Sequence, residues 1–266
     1  MSLTHFLSIN EAKQAINANF TNPIKRAGAK LAIKPTKAMG VDFGAVGTAF
    51  DYWLRCEISR NDPDLYNSFI GYRECVGSYG PRPEIAKHLA RHVKALSKSW
   101  AGSRGSRKKL FEACLFLAKF ETHYRSGYPI ASLQVSPQDV EELGRIAAGT
   151  NLESFLTGHV VLNPVFGIEG SKLTIGADGD IIVNGALIDL KTSSQLTLKG
   201  NLRQLIGYWV LNELGGRPYE VNRVGVYYPR FNYSVDFSPS ELMTPGEQSR
   251  ILNFFQSRLG KILGRR

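Results

Sequence analysis

Residues 176–192 read GADGDIIVNGALIDLKT, and the reading of this stretch decides the fold. Asn184-Gly185 is a strong hairpin signal, because a two-residue turn of this kind needs positive φ at both positions. Counting outward from it pairs Val183 with Ala186, Ile182 with Leu187, Ile181 with Ile188 and Asp180 with Asp189. Side chains alternate between faces with a period of two. Asp180, Asp189 and Lys191 are therefore expected on one side of the sheet, and Asp178, opposite Lys191, joins them. Directly opposed Cβ atoms lie about 4.5–5.5 Å apart, and two carboxylates so placed repel unless a cation or a proton sits between them. The pattern predicts a divalent-metal site with a basic helper. Asp-Gly-Asp at 178–180 leaves the first acid open. Asp180 opens the Ile-Ile-Val strand opposite Asp189, whereas Asp178 either binds metal or stabilises the turn.

Outward from the hairpin, the second half of the chain alternates short strands with helices. Ser136-Pro137-Gln138-Asp139 starts a helix that ends near Gly149, with an N-cap, proline at the first position and an early acid. Residues 150–156 give a further helical turn. Strands are expected at 159–167, 172–183, 186–191, 221–228 and 233–237, with a helix over 200–214 closed by Gly215-Gly216. Thr244-Pro245-Gly246-Glu247 caps a C-terminal amphipathic helix. The first half reads as mainly helical. Ser8-Ile9-Asn10-Glu11 is a capping-box pattern, residues 22–40 read as loop, and helices are expected at 45–58, 83–97 and 110–124. The expected organisation is a helical region over 1–135 that shapes a substrate channel, and an α/β core over 136–266.

The chain has 266 residues and a net charge of +10. That excess of cations favours a polyanionic partner, with solubility alone as the alternative. The three cysteines, Cys56, Cys75 and Cys114, are odd in number and widely spaced, which argues against a disulfide framework and points to a reducing compartment. MSLTHFLSIN lacks the pattern of a signal peptide, and no apolar stretch approaches the ~20 residues that span a membrane. A cytoplasmic protein is expected. His88 and His92 stand at i, i+4 without the glutamate of a zinc-protease motif, and no phosphate loop of the G-x-x-x-x-G-K-[ST] type occurs.

Asp180 followed by Asp189-Leu190-Lys191 resembles the motif of the PD-(D/E)XK nuclease superfamily. Gln204-Leu205-Ile206-Gly207-Tyr208 resembles the Q-x-x-x-Y helix of its RecB/Cas4-like branch, and Gly47-Thr48-Ala49-Phe50-Asp51 is similar to that branch's upstream G-T-x-x-H, with Asp in place of His. The resemblance covers residues 150–230 and the upstream motif. It implies an α/β, restriction-endonuclease-like core, a mixed central sheet flanked by helices, with an N-terminal helical region. It also implies an Mg²⁺- or Mn²⁺-dependent deoxyribonuclease of exonuclease type. Asp180, Asp189 and the Leu190 carbonyl would be metal ligands, Lys191 would serve the attacking water, and Gln204 and Tyr208 would line the cleft. Asp51, and Glu153 ahead of the first strand, are further candidate ligands. Four-cysteine iron–sulfur ligation, found in some relatives of that branch, is impossible with three cysteines.

Mg²⁺ prefers oxygen ligands and keeps several waters, which suits two aspartates. Gln204 and Tyr208, at i and i+4, share a helix face, and Trp209 reads as core. Lys87, Arg91 and Lys94 form a basic stripe on one helix, and Arg104, Arg107, Lys108 and Lys109 a basic loop. Both suit phosphate-backbone contacts with single-stranded DNA or duplex ends, and both also read as solvated surface. Trp100 and Tyr79 are candidates for base stacking or for core. The rival readings are a non-catalytic nucleic-acid-binding module with the same fold and an RNA-directed nuclease. A helicase or other protein partner and any oligomeric state are compatible with the sequence.

Overall fold

A computed structural model describes residues 2–8, 10–18, 32–35, 39–59, 69–73, 87–88, 91, 94–95, 106–127, 132, 134–168 and 175–263. The chain forms two compact units. One comprises Met1–Lys30, Glu153–Tyr228 and Asn232–Arg266, and the other Leu31–Leu152 and Pro229–Phe231. This division differs from the expected boundary at 135/136, since the helix at 137–148 belongs with the helical unit and the N-terminal residues with the sheet. Among the described residues no helix is long and apolar enough to cross a membrane.

The first unit is mixed α/β. Its helices are α1 (Leu3–Ser8), α2 (Asn10–Ala18) and, numbered after three helices of the other unit, α6 (Glu153–Leu156), α7 (Leu198–Leu214), α8 (Pro239–Leu242) and α9 (Pro245–Leu263). Its strands are β1 (Val160–Leu162), β2 (Val165–Phe166), β3 (Ala177–Asp178), β4 (Ile181–Val183), β5 (Ala186–Leu190), β6 (Arg223–Tyr228) and β7 (Tyr233–Phe237). Five of them form one sheet in the order β1-β4-β5-β6-β7, and β2 pairs with β3 separately. The β5–β6 pair is parallel and its neighbours antiparallel. Parallel strands need a crossover, and α7 supplies it, packing against both. That covering explains why ALIDL and RVGVYY are almost uniformly apolar: Leu187, Val226 and Tyr228 are fully buried.

The β4–β5 hairpin has the register counted from the sequence, with Val183 opposite Ala186, Ile182 opposite Leu187 and Ile181 opposite Ile188. Asn184 (φ 49°) and Gly185 (φ 78°) make the turn. Asn184 also accepts a hydrogen bond from the His159 amide at 3.0 Å and donates to the Thr157 carbonyl at 3.1 Å. Beyond Ile181 the expected ladder does not continue. Asp178 lies in β3 opposite Val165, not opposite Lys191. The expected strand at 159–167 is broken where the chain turns at Asn163 (φ 49°) and Pro164, and the one expected at 172–183 is broken at Gly179 and Asp180, with 172–174 outside the described residues. The two segments stay joined through these breaks by Asn163 N–H to the Asp180 carbonyl (3.0 Å) and Gly179 N–H to the Pro164 carbonyl (2.8 Å).

Helix α7 starts at Leu198, two residues before the expected Gly200, and its end is closed by the Gly215 amide on the Leu211 carbonyl at 2.8 Å. At Gly207 a Cβ would meet Leu3 at 3.0 Å and Leu7 at 3.2 Å, so glycine there lets α1 lie close on α7. Ser8 does not cap α2 but ends α1, its hydroxyl donating to the His5 carbonyl at 2.6 Å. Thr244 and Glu247 cap α9 reciprocally, with Glu247 accepting from the Thr244 amide at 2.7 Å.

The second unit is helical, built on α3 (Phe43–Ile58), α4 (Arg107–Ser126) and α5 (Pro137–Ala148). Phe50, Trp53 and Leu54 of α3 are buried, as are Phe116 and Phe120 of α4. Ser136 caps α5 as expected, accepting from the Gln138 amide at 3.2 Å. Asp42 caps α3, and the Asp42 amide in turn donates to Asp139 Oδ1 at 2.9 Å. Buried Glu142 pairs with buried Arg230, of the 3-10 turn Pro229–Phe231, at 2.6 Å. Residues 87, 88, 91, 94 and 95, within the helix expected at 83–97, are helical.

Candidate active site

The end of β5 gathers the chemistry. Asp189 is 4% exposed. The Lys191 ammonium stands 2.8 Å from both of its oxygens and donates a directed hydrogen bond to Oδ1. Oδ2 is buried and receives no directed hydrogen bond from protein. Asp180, one residue before β4, turns its carboxylate onto the same point: its Oδ2 accepts the Leu190 amide at 2.7 Å. The negative charge of Asp180 also reaches Asp189. Asp180 thus faces Asp189 as the counted register implies, although a side-chain-to-backbone bond holds it there and no strand ladder.

These neighbours set the protonation. Burial pushes the Asp189 carboxyl up to about 7; Lys191 works against this rise and Asp180 adds to it. Burial by itself would lower the Lys191 ammonium, but the negative field of Asp189 and Asp180 outweighs it and the net shift is upward. The acid pair is short of positive charge, and the lysine is a firmly held cation.

A hard divalent ion fits these residues. The buried Asp189 Oδ2 has an unused lone pair, Asp180 has a second oxygen beside the one that binds Leu190 N–H, and both are ligands of the type Mg²⁺ and Mn²⁺ take. Among the described residues no group of three His, Cys, Asp or Glu side chains assembles. A metal here would take two carboxylates from the described residues, with the Leu190 carbonyl as the third donor that the resemblance implies.

The remaining candidates are placed differently. Asp178 is exposed in β3 and Glu153 is exposed at the start of α6. Asp51 lies in the helical unit, where its Oδ1 accepts from Arg55 Nε at 2.9 Å and its Oδ2 is paired with the same guanidinium. A metal at Asp51 would compete with that fork. Gln204 and Tyr208 do share a face of α7, and Gln204 Nε2 donates to Tyr208 Oη at 2.6 Å. Tyr208 is buried and stacked on Phe166 at 5.6 Å, and Trp209 is core as expected.

Two residues at the site escaped the sequence reading. Tyr228 ends β6, and its hydroxyl accepts from Asn201 Nδ2 at 2.8 Å. Burial raises its pKa above the usual phenol value, the Asn201 bond opposes this, and the charges of Asp189 and Lys191 both reach it. The available signal was Asn201's spacing, one turn before Gln204 on the same face.

Of the candidate phosphate contacts, Arg107, Lys108 and Lys109 form the exposed first turn of α4, and Lys87, Arg91 and Lys94 are exposed on their helix. Arg91 Nη2 lies 2.6 Å from His88 Nδ1, and the His88 ring stacks at 6.3 Å on Phe116. Arg104, Trp100 and Tyr79 lie outside the described residues, as do Cys75 and His92. Cys56 and Cys114 are buried free thiols. Comparison of the chain with protein-family models, with curated proteins and with solved structures found no match in any of the three.

Proposed function

We propose that this chain is a metal-dependent nuclease of the PD-(D/E)XK type that hydrolyses DNA phosphodiester bonds, of the exonuclease-like RecB/Cas4 kind. The observation that carries the reading is Asp189: a carboxylate 4% exposed, in the field of a second carboxylate, with the Lys191 ammonium 2.8 Å from both of its oxygens. A structural ion pair needs no second acid. Two acids that share one cation leave an electrostatic deficit that a divalent ion would fill.

A bound Mg²⁺ or Mn²⁺ would supply Lewis-acid stabilisation of the phosphoryl oxygens and a more acidic water. Asp180 and Asp189 would hold it, with the Leu190 carbonyl. Lys191, 30% exposed along its side chain, keeps its ammonium at the acid pair and offers a fixed positive charge to a phosphate oxygen or to the attacking water. The exposed cations of α4, with Lys87, Arg91 and Lys94, would contact the nucleic-acid backbone, positioning it without reading sequence.

The test is cleavage of labelled linear duplex, closed-circular and single-stranded DNA with Mg²⁺, Mn²⁺ or EDTA. Degradation that needs metal, needs ends, and disappears in Asp189→Ala and Lys191→Ala is the expected result. An unchanged metal-dependent cleavage in Asp189→Ala would refute the reading. The second reading is a nucleic-acid-binding module without catalysis, favoured by the pairing of Asp51 with Arg55 at the position where the resembled branch has its histidine. It is distinguished by binding that EDTA leaves unchanged, with no cleavage of DNA or RNA.

A further inference from the structure

Asn201, Gln204 and Tyr208 follow one another at i, i+3 and i+7 on α7 and so present one polar stripe. Gln204 and Tyr208 bond to each other. Asn201 does something else: it reaches across to β6 and donates to the Tyr228 hydroxyl at 2.8 Å. Tyr228 is the next residue after Tyr227, which is in register with Leu190 and whose carbonyl accepts the Lys191 amide at 2.9 Å. Tyr228 therefore stands beside Lys191 on the neighbouring strand, and the period of two puts both on the face that carries Asp189.

The phenol is fully buried. A buried hydroxyl costs free energy unless it is hydrogen-bonded, and phenylalanine would keep the stacking on Tyr233 at 6.5 Å without that cost. The hydroxyl is thus a buried polar group that Asn201 satisfies, on the strand position next to Lys191. A lysine carries its charge on a flexible four-carbon stem, and a catalytic group works only when locked in place by packing and a second layer of hydrogen bonds.

We infer that Asn201 and Tyr228 are positioning residues that hold the Lys191 ammonium against the Asp180–Asp189 pair. The catalytic consequence rests on the nuclease reading, while the placement of Lys191 does not. Two readouts on Tyr228→Phe, Asn201→Ala and the double variant test it separately. The first is the rate of acetic anhydride labelling of Lys191, followed by peptide mass spectrometry on the metal-free full chain. It should rise several-fold in each single variant and no further in the double, because both substitutions remove the same Asn201–Tyr228 hydrogen bond. The second is DNA cleavage with Mg²⁺: kcat should fall about tenfold with KM unchanged, since the pair acts on alignment rather than on substrate binding. Labelling at the wild-type rate overturns the inference, and faster labelling with unchanged kcat overturns its catalytic half. If the wild type cleaves nothing, the nuclease reading fails, and the labelling result still decides the pair.

Discussion

Asp189 is buried at 4% exposure, and its ionisation makes the cost of that burial measurable. In the unfolded chain it ionises near pH 4, about the ordinary aspartate value, whereas burial in the fold raises it to about 7. A raised folded-state pKa on an acid means that the fold favours the protonated form. The stability this confers is full below pH 4 and is lost as pH climbs to about 7. Lys191, also shifted upward, loses its contribution only at alkaline pH, so the loss on the acid side comes from Asp189 together with Asp139, whose carboxyl burial also raises. Metal-free wild type should therefore lose stability to urea as pH climbs to about 7, and Asp189→Asn should remove its own share of that loss. If the nuclease reading holds, Mg²⁺ would bind the ionised pair and not the unfolded chain, and it should then raise the melting temperature of the wild type at pH 8, little at pH 5, and not at all in Asp189→Asn. Differential scanning fluorimetry across pH and metal concentration checks both outcomes.

Among the elements, the hairpin is where local chemistry and function meet. Its turn fixes the register of Ile181–Val183 on Ala186–Ile188, and the Asp180 side chain then bonds the Leu190 amide. A one-residue slip would send every side chain of β5 to the other face. Gly185→Ala places a Cβ at φ 78° and 2.8 Å from Asn222 Nδ2. The expected cost is about 1–2 kcal/mol, as for other strained positive-φ positions, read from the urea midpoint at unchanged slope. The helical unit offers a sharper case. Glu142 and Arg230 are 0% and 1% exposed along their side chains, and Arg230→Met leaves the carboxylate buried without this partner. A loss of about 3–5 kcal/mol is expected, against a smaller one when Glu142→Gln is combined with it.

For the whole molecule, the informative quantity is the +10 net charge. If the exposed cations bind phosphates, affinity for DNA in EDTA should fall steeply with salt. Replacing Arg107, Lys108 and Lys109 together by alanine should then reduce the log–log slope by about two, since each phosphate neutralised adds roughly 0.7–0.9 to it. Fluorescence anisotropy over a salt series measures it, and a slope that does not move assigns those residues to solubility alone.

The chain by itself determined whatever depends on neighbours in sequence. Asn184-Gly185 specified the turn, alternation specified which acids share a face, and Gln204 and Tyr208 shared theirs by helical spacing. Ser136, Thr244 and the glycine after Leu214 announced helix ends, because caps are local hydrogen-bond chemistry. What depended on distant partners was not legible. Asp178 left the hairpin because a kink at Asn163 and Pro164 gave it Val165 as a partner, and a strand pattern cannot say which of two ladders it will join. Helices α1 and α2 joined the sheet unit and α5 joined the helical one, since an apolar helix face does not name the surface that will cover it. Asn201 and Tyr228 are 27 positions apart and met only when the β5–β6 crossover brought α7 over the sheet. The pKa of Asp189 was decided in the same way, because desolvation belongs to the folded core and not to the motif that places the acid in it.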